Sequence, residues 1–400
     1  MNKEKTYFGF SKNVFFTGLV SFFMDVSSEM IYPLVPLFLA SVLGVNKSMI
    51  GLIEGIAEAT ASLLKVFSGR LSDHLGQRKG LMLVGYATSV LSRPFIALAG
   101  SWQPVFASRF IDRLGKGIRT APRDAIIAES APKTHLARAF SFHRAMDCLG
   151  AVAGPAIALL LLRGHNNNYQ LVFWLSMIPG ALAVLCIILF IQEKKQAPLP
   201  HADRPRLTLK HFDWKVKYFI LIATLFALGN SSDAFLILRA EQIGIAPVVI
   251  PAVYLTFNLV YALSAIPAGI MADRFGKKRV ILLGFLLFAG LYYGFASAQT
   301  SSAIWLLFGA YGLFMGLTEG IQKSFLATII PPEFKATAFG LYGTAVGIAT
   351  FPASLIGGLL WDHISPAATF YFGATTAALS ALLFMVLIVA DRKAPKTVSV

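Results

Sequence analysis

Apolar runs alternate with short polar breaks along almost the entire chain, at 13–43, 49–70, 80–99, 102–127, 137–162, 169–191, 216–240, 248–271, 280–298, 302–328, 336–361 and 367–390. A helix needs about 20 apolar residues, at 1.5 Å each, to cross the hydrocarbon core of a bilayer. Each run meets or approaches that length. In hydrocarbon the backbone must satisfy its own hydrogen bonds, and a helix does this within one segment. The pattern therefore predicts an all-α integral membrane protein with twelve transmembrane helices.

Composition supports this reading. Of 400 residues, 56% are hydrophobic and 14% charged, against about a quarter charged in soluble proteins, and the mean hydropathy is +0.67. Twelve spans leave no room for a soluble catalytic domain. The net charge of +15 would suggest nucleic acid in a soluble chain, but the positions of the charges point elsewhere. Most Lys and Arg fall in the segments 1–12, 70–79, 128–138, 192–217, 272–279, 329–335 and beyond 391, whereas the six opposite loops hold only Lys47 and Arg163. Cytoplasmic loops carry the excess of basic residues, so both termini are expected in the cytoplasm, with the basic loops against anionic lipid headgroups. No nucleic-acid partner is expected. Cys148 and Cys186 both lie inside spans and offer neither a disulfide framework nor metal spacing. The first apolar run is long and contains Asp25 and Glu29, which suits a retained span better than a cleaved signal. Compact loops point to a bacterial inner membrane.

The long polar interval with Pro198, Pro200 and Pro205 divides the spans six to six, giving halves at 1–192 and 216–400 joined by a cytoplasmic linker at 193–215. A shift of 200 residues superposes Gly69-Arg-Leu-Ser-Asp73-His-Leu-Gly76-Gln-Arg78-Lys79 on Gly269-Ile-Met-Ala-Asp273-Arg-Phe-Gly276-Lys-Lys278-Arg279. A shift of 199 aligns Gly117 with Gly316 and Ala137-Arg-Ala-Phe140 with Ala336-Thr-Ala-Phe339, and a longer one matches Ser27-Ser-Glu29 to Ser231-Ser-Asp233. Two pseudo-symmetric six-helix bundles that rock about a shared midplane site are the expected architecture.

On these residues the chain resembles the major facilitator superfamily of secondary transporters. Gly-x-x-x-Asp-x-x-Gly-x-Arg-Lys after span 2 is similar to the superfamily's loop signature, and the segment after span 8 resembles it again. Arg113-Leu-Gly-Lys116-Gly117 resembles the Arg-x-x-Gln-Gly signature of span 4, with Lys116 in place of Gln. Gly150-Ala-Val-Ala-Gly154-Pro155 is similar to the span 5 motif of the drug:proton antiporter-like branch, although Ala158 and Leu159 replace its trailing glycines. The resemblance implies gating roles for Gly69, Asp73, Gly76 and Arg78 and for Gly269, Asp273, Gly276 and Lys278. It has Asp73 latch one side of the carrier shut, and Gly150, Gly154 and Pro155 seal it against leak. It also implies a monomer. From the residues alone, the glycines permit sharp reversals at both loops and close packing in span 5.

A charge at the bilayer centre costs about 2.5–3.5 kcal/mol on insertion scales, so charged residues inside spans should face a cavity or one another. Arg109, Asp112, Arg113, Lys116, Arg119, Arg123 and Asp124 fall within an arc of about 140° on span 4. Asp25 and Glu29 on span 1, and Glu54, Glu58 and Lys65 on span 2, form one stripe each, and span 5 adds His143, Arg144 and Asp147. Asp25, Glu58, Arg113 and Asp147 fall at similar depth. Opening and closing a cavity changes the hydration and charged neighbours of a carboxylate, and with them its hold on a proton. Asp25, Glu29, Glu54, Glu58 and Asp147 are accordingly the proton-coupling candidates, against the alternative that they form buried ion pairs that only fix packing. Arg109, Arg113, Lys116, Arg144, Asn230, Asp233, Asn258 and Glu319 are the candidate substrate contacts.

The expected partners are a small organic substrate, protons and the lipid bilayer, with no cofactor or metal. The leading reading is proton-coupled antiport, exporting a small organic compound by alternating access. The open alternatives are carriage of an anionic solute, such as a polycarboxylate or siderophore, on the basic stripe of span 4, and a non-transporting membrane sensor. An enzyme is disfavoured because no nucleophile has a matched base, and an ATP-driven pump because no phosphate-binding loop is present.

Overall fold

The computed structural model describes residues 6–75, 78–132, 135–193, 212–330 and 335–393; side chains at 6, 66, 70, 73–75, 137, 335–337 and 391–393 are not described. Most of the expected linker, 194–211, lies outside the described residues, as does Gly76.

Among the described residues, the chain forms twelve helical columns. Spans 1 to 6 run over Lys12–Val42, Lys47–Leu75, Arg78–Ala97, Trp102–Ser130, Leu136–Gly164 and Tyr169–Phe190. Spans 7 to 12 run over Trp214–Gln242, Pro247–Phe275, Lys277–Ser297, Ser301–Thr328, Lys335–His363 and Pro366–Lys393. Ten of them are long and apolar enough to cross a membrane by length and composition. Spans 2 and 4 are the two that are not, because charged residues recur along their length, and they pack against each other.

Several columns are interrupted. Span 1 breaks after Ile31, at Tyr32 and Pro33, and continues through Val35–Leu37 into a π-helical stretch, Phe38–Val42. A proline lacks the backbone donor that would continue the ladder. Span 7 breaks between Gly229 and Ala234. Ser231-Ser-Asp233 lies in that break, whereas Ser27-Ser-Glu29 is helical, so this short match joins different structures. Ahead of span 1 sits a small hairpin that periodicity did not predict. Its two-residue strands pair Thr6 with Ser11 and Tyr7 with Phe10 across Phe8 and Gly9, both at positive φ.

The packing pattern repeats. Span 1 lies on spans 5 and 6, span 4 on spans 2 and 3, and span 3 on span 6; span 7 lies on spans 11 and 12, span 10 on spans 8 and 9, and span 9 on span 12. Single contacts repeat as well. A methyl group on Gly117 would lie 2.6 Å from Leu64 Cβ, and one on Gly316 would lie 2.3 Å from Ser264 Oγ, 199 and 200 residues further on. Likewise, Gly85 faces Arg119 and Gly284 faces Thr318, both shifted by 199. The internal repeat therefore reaches the level of matched helix contacts, giving two pseudo-symmetric six-helix bundles.

The bundles meet mainly through span 2 on span 11 and span 5 on span 8, the same pairing under the repeat. The seam is tightest toward the face that bears the loops 43–46 and 364–365. There, methyl groups on Gly51 and Gly55 would clash with the carbonyls of Ser354 and Phe351, and one on Gly358 with that of Lys47. Asp362 clasps this end, accepting from the backbone N–H of Lys47 at 3.2 Å and from the N–H and hydroxyl of Ser48 at 2.7 and 2.6 Å. Ser41 donates to Glu241 at 2.5 Å nearby. The opposite face carries the basic loops. Large apolar side chains such as Leu160, Leu189, Leu263, Ile266 and Leu306 point outward. Acyl chains, not water, are the matching solvent for that surface.

Candidate functional site

The charged stripes of the first bundle converge in a layered network. Arg109 grips Glu54 through a two-point contact, Nε–H to Oε1 at 2.8 Å and Nη2–H to Oε2 at 2.5 Å, with both side chains buried. A planar fork on a carboxylate is a strong, geometrically specific pairing. One turn further along, Arg113 pairs with Glu58 at 2.8 Å, and the Glu58 side chain is 34% exposed. Tyr32, at the break in span 1, places its ring 5.3 Å from Arg109 and 5.9 Å from Arg113. It serves both guanidinium groups as a cation–π platform. Asp112 faces away, toward Arg93 at 3.4 Å, and Arg93 in turn donates to Ser28 at 3.0 Å. Arg119 donates to Ser89 at 2.6 Å and lies over Tyr86.

The acids at the seam of spans 1 and 5 are bonded differently. Asp25 and Glu29 have no ion pair among the described residues, and Glu29 Oε2 is buried without a hydrogen bond. Both sit under the span 5 motif: a methyl group on Gly150 would lie 2.8 Å from Asp25 Cβ, and one on Gly154 would lie 2.7 Å from Glu29 Cβ. Pro155 follows inside the same helix. His143 binds Ser21 Oγ through Nε2 at 2.6 Å, and its Nδ1 lies 3.5 Å from Asp147 Oδ2.

The second bundle contributes fewer charges. Tyr311 donates to Asp233 at 2.8 Å, and Tyr292 reaches Asn230 at 3.5 Å. Asn258 donates to the Ala151 carbonyl at 3.0 Å and so ties span 8 to span 5. Arg144 bridges the halves: its guanidinium donates to the Tyr261 hydroxyl and to Glu319 Oε2, the latter at 3.3 Å, and Tyr261 also donates to Glu319. These three residues line a cavity of about 340 Å³ that continues past Met315 and Lys323 to Asp273 and Lys277 on the basic face. Lys116 is exposed and has no ion pair among the described residues.

Of the sequence-derived substrate contacts, Arg144 and Glu319 line this cavity, Arg109 and Arg113 are occupied by glutamates, and Asp233, Asn230 and Asn258 are held by neighbours. The loop signatures need one correction. Gly69 and Gly269 are both inside helices and make no reversal. At the second loop the reversal falls on Gly276, with φ 93°, between spans 8 and 9. Asp73 is helical, and its side chain is not described. Arg78 pairs with Glu129 at 2.7 Å, and its backbone N–H donates to Glu193. Asp273 is exposed, and Lys278 lies 5.9 Å from the centre of the Phe325 ring. Two residues of the network escaped the sequence reading. Arg93 was visible as a lone charge in an apolar run, but Tyr32 carries no signal apart from the neighbouring Pro33.

Comparison with known proteins agrees with this architecture. The sequence pattern of the Major Facilitator Superfamily matches residues 17–238 and again 218–399. An uncharacterised MFS-type transporter of Methanocaldococcus jannaschii is 38% identical over 381 residues, covering 94% of each chain. A multi-drug resistance efflux pump PmrA homolog of Lactococcus lactis is 26% identical over 386 residues, covering 91% of this chain and 92% of that one. Among solved structures, a POT family transporter superposes with a TM-score of 0.80 over 97% of this chain and 98% of that one; at 14% identity this likeness shows the fold alone. Matched along nearly its whole length, with the packing of both halves repeated, the chain belongs to the Major Facilitator Superfamily and is a membrane transporter rather than an enzyme.

Proposed function

We propose that this transporter is a proton-coupled antiporter that exports a small organic compound by alternating access. The observation that carries the reading is the contrast between Asp25 and Glu29, which make no ion pair among the described residues, and Glu54, Glu58 and Asp112, which are each paired with arginine. Carboxylates held by no direct ion pair are the groups whose proton a change in hydration will move. They lie against Gly150 and Gly154 of span 5, which packs on span 8 of the other half, so rocking of the two halves alters the surroundings of this seam. Asp25, Glu29 and Asp147 carry the coupling proton, Glu58 exchanges partners with Arg113, and Glu54 with Arg109 holds spans 2 and 4 together. Lys116, Arg144 and Glu319 meet the substrate. Residues 1–192 and 216–400 act as the rocking bodies, joined by 193–215. The loops at Asp73 and Asp273 engage when the basic face closes. That face lies in the cytoplasm, and the protein works as a monomer in an inner membrane. The relative from Lactococcus lactis, described as a multi-drug efflux pump, supports export as the direction.

A second reading, carriage of an organic anion, draws support from Lys65, Lys116 and Lys323, all exposed within spans and without ion pairs among the described residues. Reconstituted vesicles with an imposed pH gradient separate the two readings. Antiport predicts gradient-driven accumulation of tetraphenylphosphonium, abolished by a protonophore. Accumulation of citrate instead would favour the anion reading, and transport of either probe that ignores the gradient would contradict coupling.

A further inference from the structure

Ser21 and Asp25 lie one turn apart on span 1, opposite His143 and Asp147, one turn apart on span 5. Both helices run in the same direction, and Gly150, one turn beyond Asp147, brings the backbones together at Asp25. Asp147 falls between His143, which meets Ser21, and Gly150, which meets Asp25, and so stands level with the Ser21–Asp25 turn of span 1. Ser21 Oγ is 2.6 Å from His143 Nε2, with both residues buried. Asp147 Oδ1 is buried with no hydrogen bond, and Oδ2 is 3.5 Å from His143 Nδ1, a small side-chain rotation short of a good one.

A neutral imidazole carries one N–H and one acceptor nitrogen, and the bond at one nitrogen decides the role of the other. If the Ser21 hydroxyl donates to Nε2, the hydrogen stands on Nδ1 and points at Asp147. The surrounding charged groups are Lys116, Arg119, Arg123 and Asp124 on span 4, Arg144 on span 5 and Glu29 on span 1; span 6 contributes none. Both ring nitrogens are already engaged, Nε2 with Ser21 and Nδ1 facing Asp147. The imidazole therefore orients its neighbour instead of storing charge. Two adjacent carboxylates cannot both ionise readily, and such a pair titrates as one unit.

We propose that His143, held by Ser21, is a positioning residue that orients Asp147 toward Asp25 so that the two carboxylates hold one exchangeable proton between them. The proposal rests on the proton-coupled reading above for its purpose, but its test needs no transport.

The test is infrared difference spectroscopy of the protein in lipid bilayers, titrated from acid to alkaline buffer. The expected result is a single protonated-carboxyl band from the pair that disappears in both Asp25→Asn and Asp147→Asn. Ser21→Ala, a mild change, should move the midpoint of that band without removing it. His143→Ala should broaden and shift it, and His143→Gln, which keeps an N–H donor, should restore it in part. Two bands, each lost only with its own aspartate, would overturn the proposal, as would an unchanged midpoint in both Ser21→Ala and His143→Ala. A shared band in a protein that moves no protons with substrate would contradict the antiport reading alone.

Discussion

Gly150 of span 5 faces Asp25 of span 1 so closely that a methyl group on the glycine would lie 2.8 Å from the aspartate Cβ and 2.6 Å from the Phe22 carbonyl. Gly154 repeats the relation one turn later with Glu29. The close approach of the backbones and the placement of two acids outside any ion pair are thus the same structural fact. Gly150→Ala must push the helices apart. Overpacking a tight contact costs about 1–3 kcal/mol, so thermal unfolding in detergent should shift down clearly. Gly343→Ala, where nothing lies within 4 Å, should leave the transition in place.

The buried pair of Glu54 and Arg109 invites a paired substitution. Removing one partner of a buried ion pair costs about 3–5 kcal/mol, whereas replacing both with apolar residues of similar volume is often neutral or stabilising. Glu54→Leu and Arg109→Met should each impair folding, and the double variant should recover most of the loss, as read from detergent unfolding. A double variant as unstable as the worse single one would show that the charges do more than neutralise each other.

The repeat-based shifts of 199 and 200 residues survive into three dimensions because the matched positions, Gly117 with Gly316 and Gly85 with Gly284, are tight helix contacts, where a side chain cannot vary without moving a backbone. The charged stripes were legible for a related reason: charges at helical spacing inside apolar runs have few places to go. Their pairing was not legible. Arg144 is near enough to Asp147 in sequence to suggest a local pair, but its partners Glu319 and Tyr261 come from the other half. Nothing in a linear pattern reports the angle at which two bundles meet. The break at Tyr32 escaped too, because apolarity continues unbroken through Pro33 to Leu39.

Arg144 and Glu319 are half exposed at the cavity, 49% and 42% of each side chain. An exposed pair contributes about 0–1 kcal/mol, so Arg144→Gln should leave expression and unfolding nearly unchanged. It should alter recognition instead. With its arginine gone, Glu319 is free to meet a cation, and the KM for a cationic substrate is expected to fall several-fold while that for an anionic one rises. Equal effects on both would place the pair outside the substrate path.

Asp362 holds three hydrogen bonds from Lys47 and Ser48 at the closed face. Asp362→Ala should favour the conformation that opens there. In a background lacking Cys148 and Cys186, a cysteine at the buried position Ser354 should react with an impermeant maleimide faster when Asp362 is absent. Unchanged labelling would mean that the glycine seam of spans 2 and 11 suffices to keep this face shut.

Coupling is reciprocal: if a proton gradient drives substrate, a substrate gradient must drive protons. The most direct test is therefore a pH-sensitive dye inside reconstituted vesicles with no imposed pH gradient, to which tetraphenylphosphonium is added outside. The account predicts prompt proton movement opposite to the cation in the wild type, lost in Asp25→Asn although the variant inserts normally. Undiminished proton movement in Asp25→Asn and Glu29→Gln alike, or cation entry with no pH change in the wild type, would contradict it.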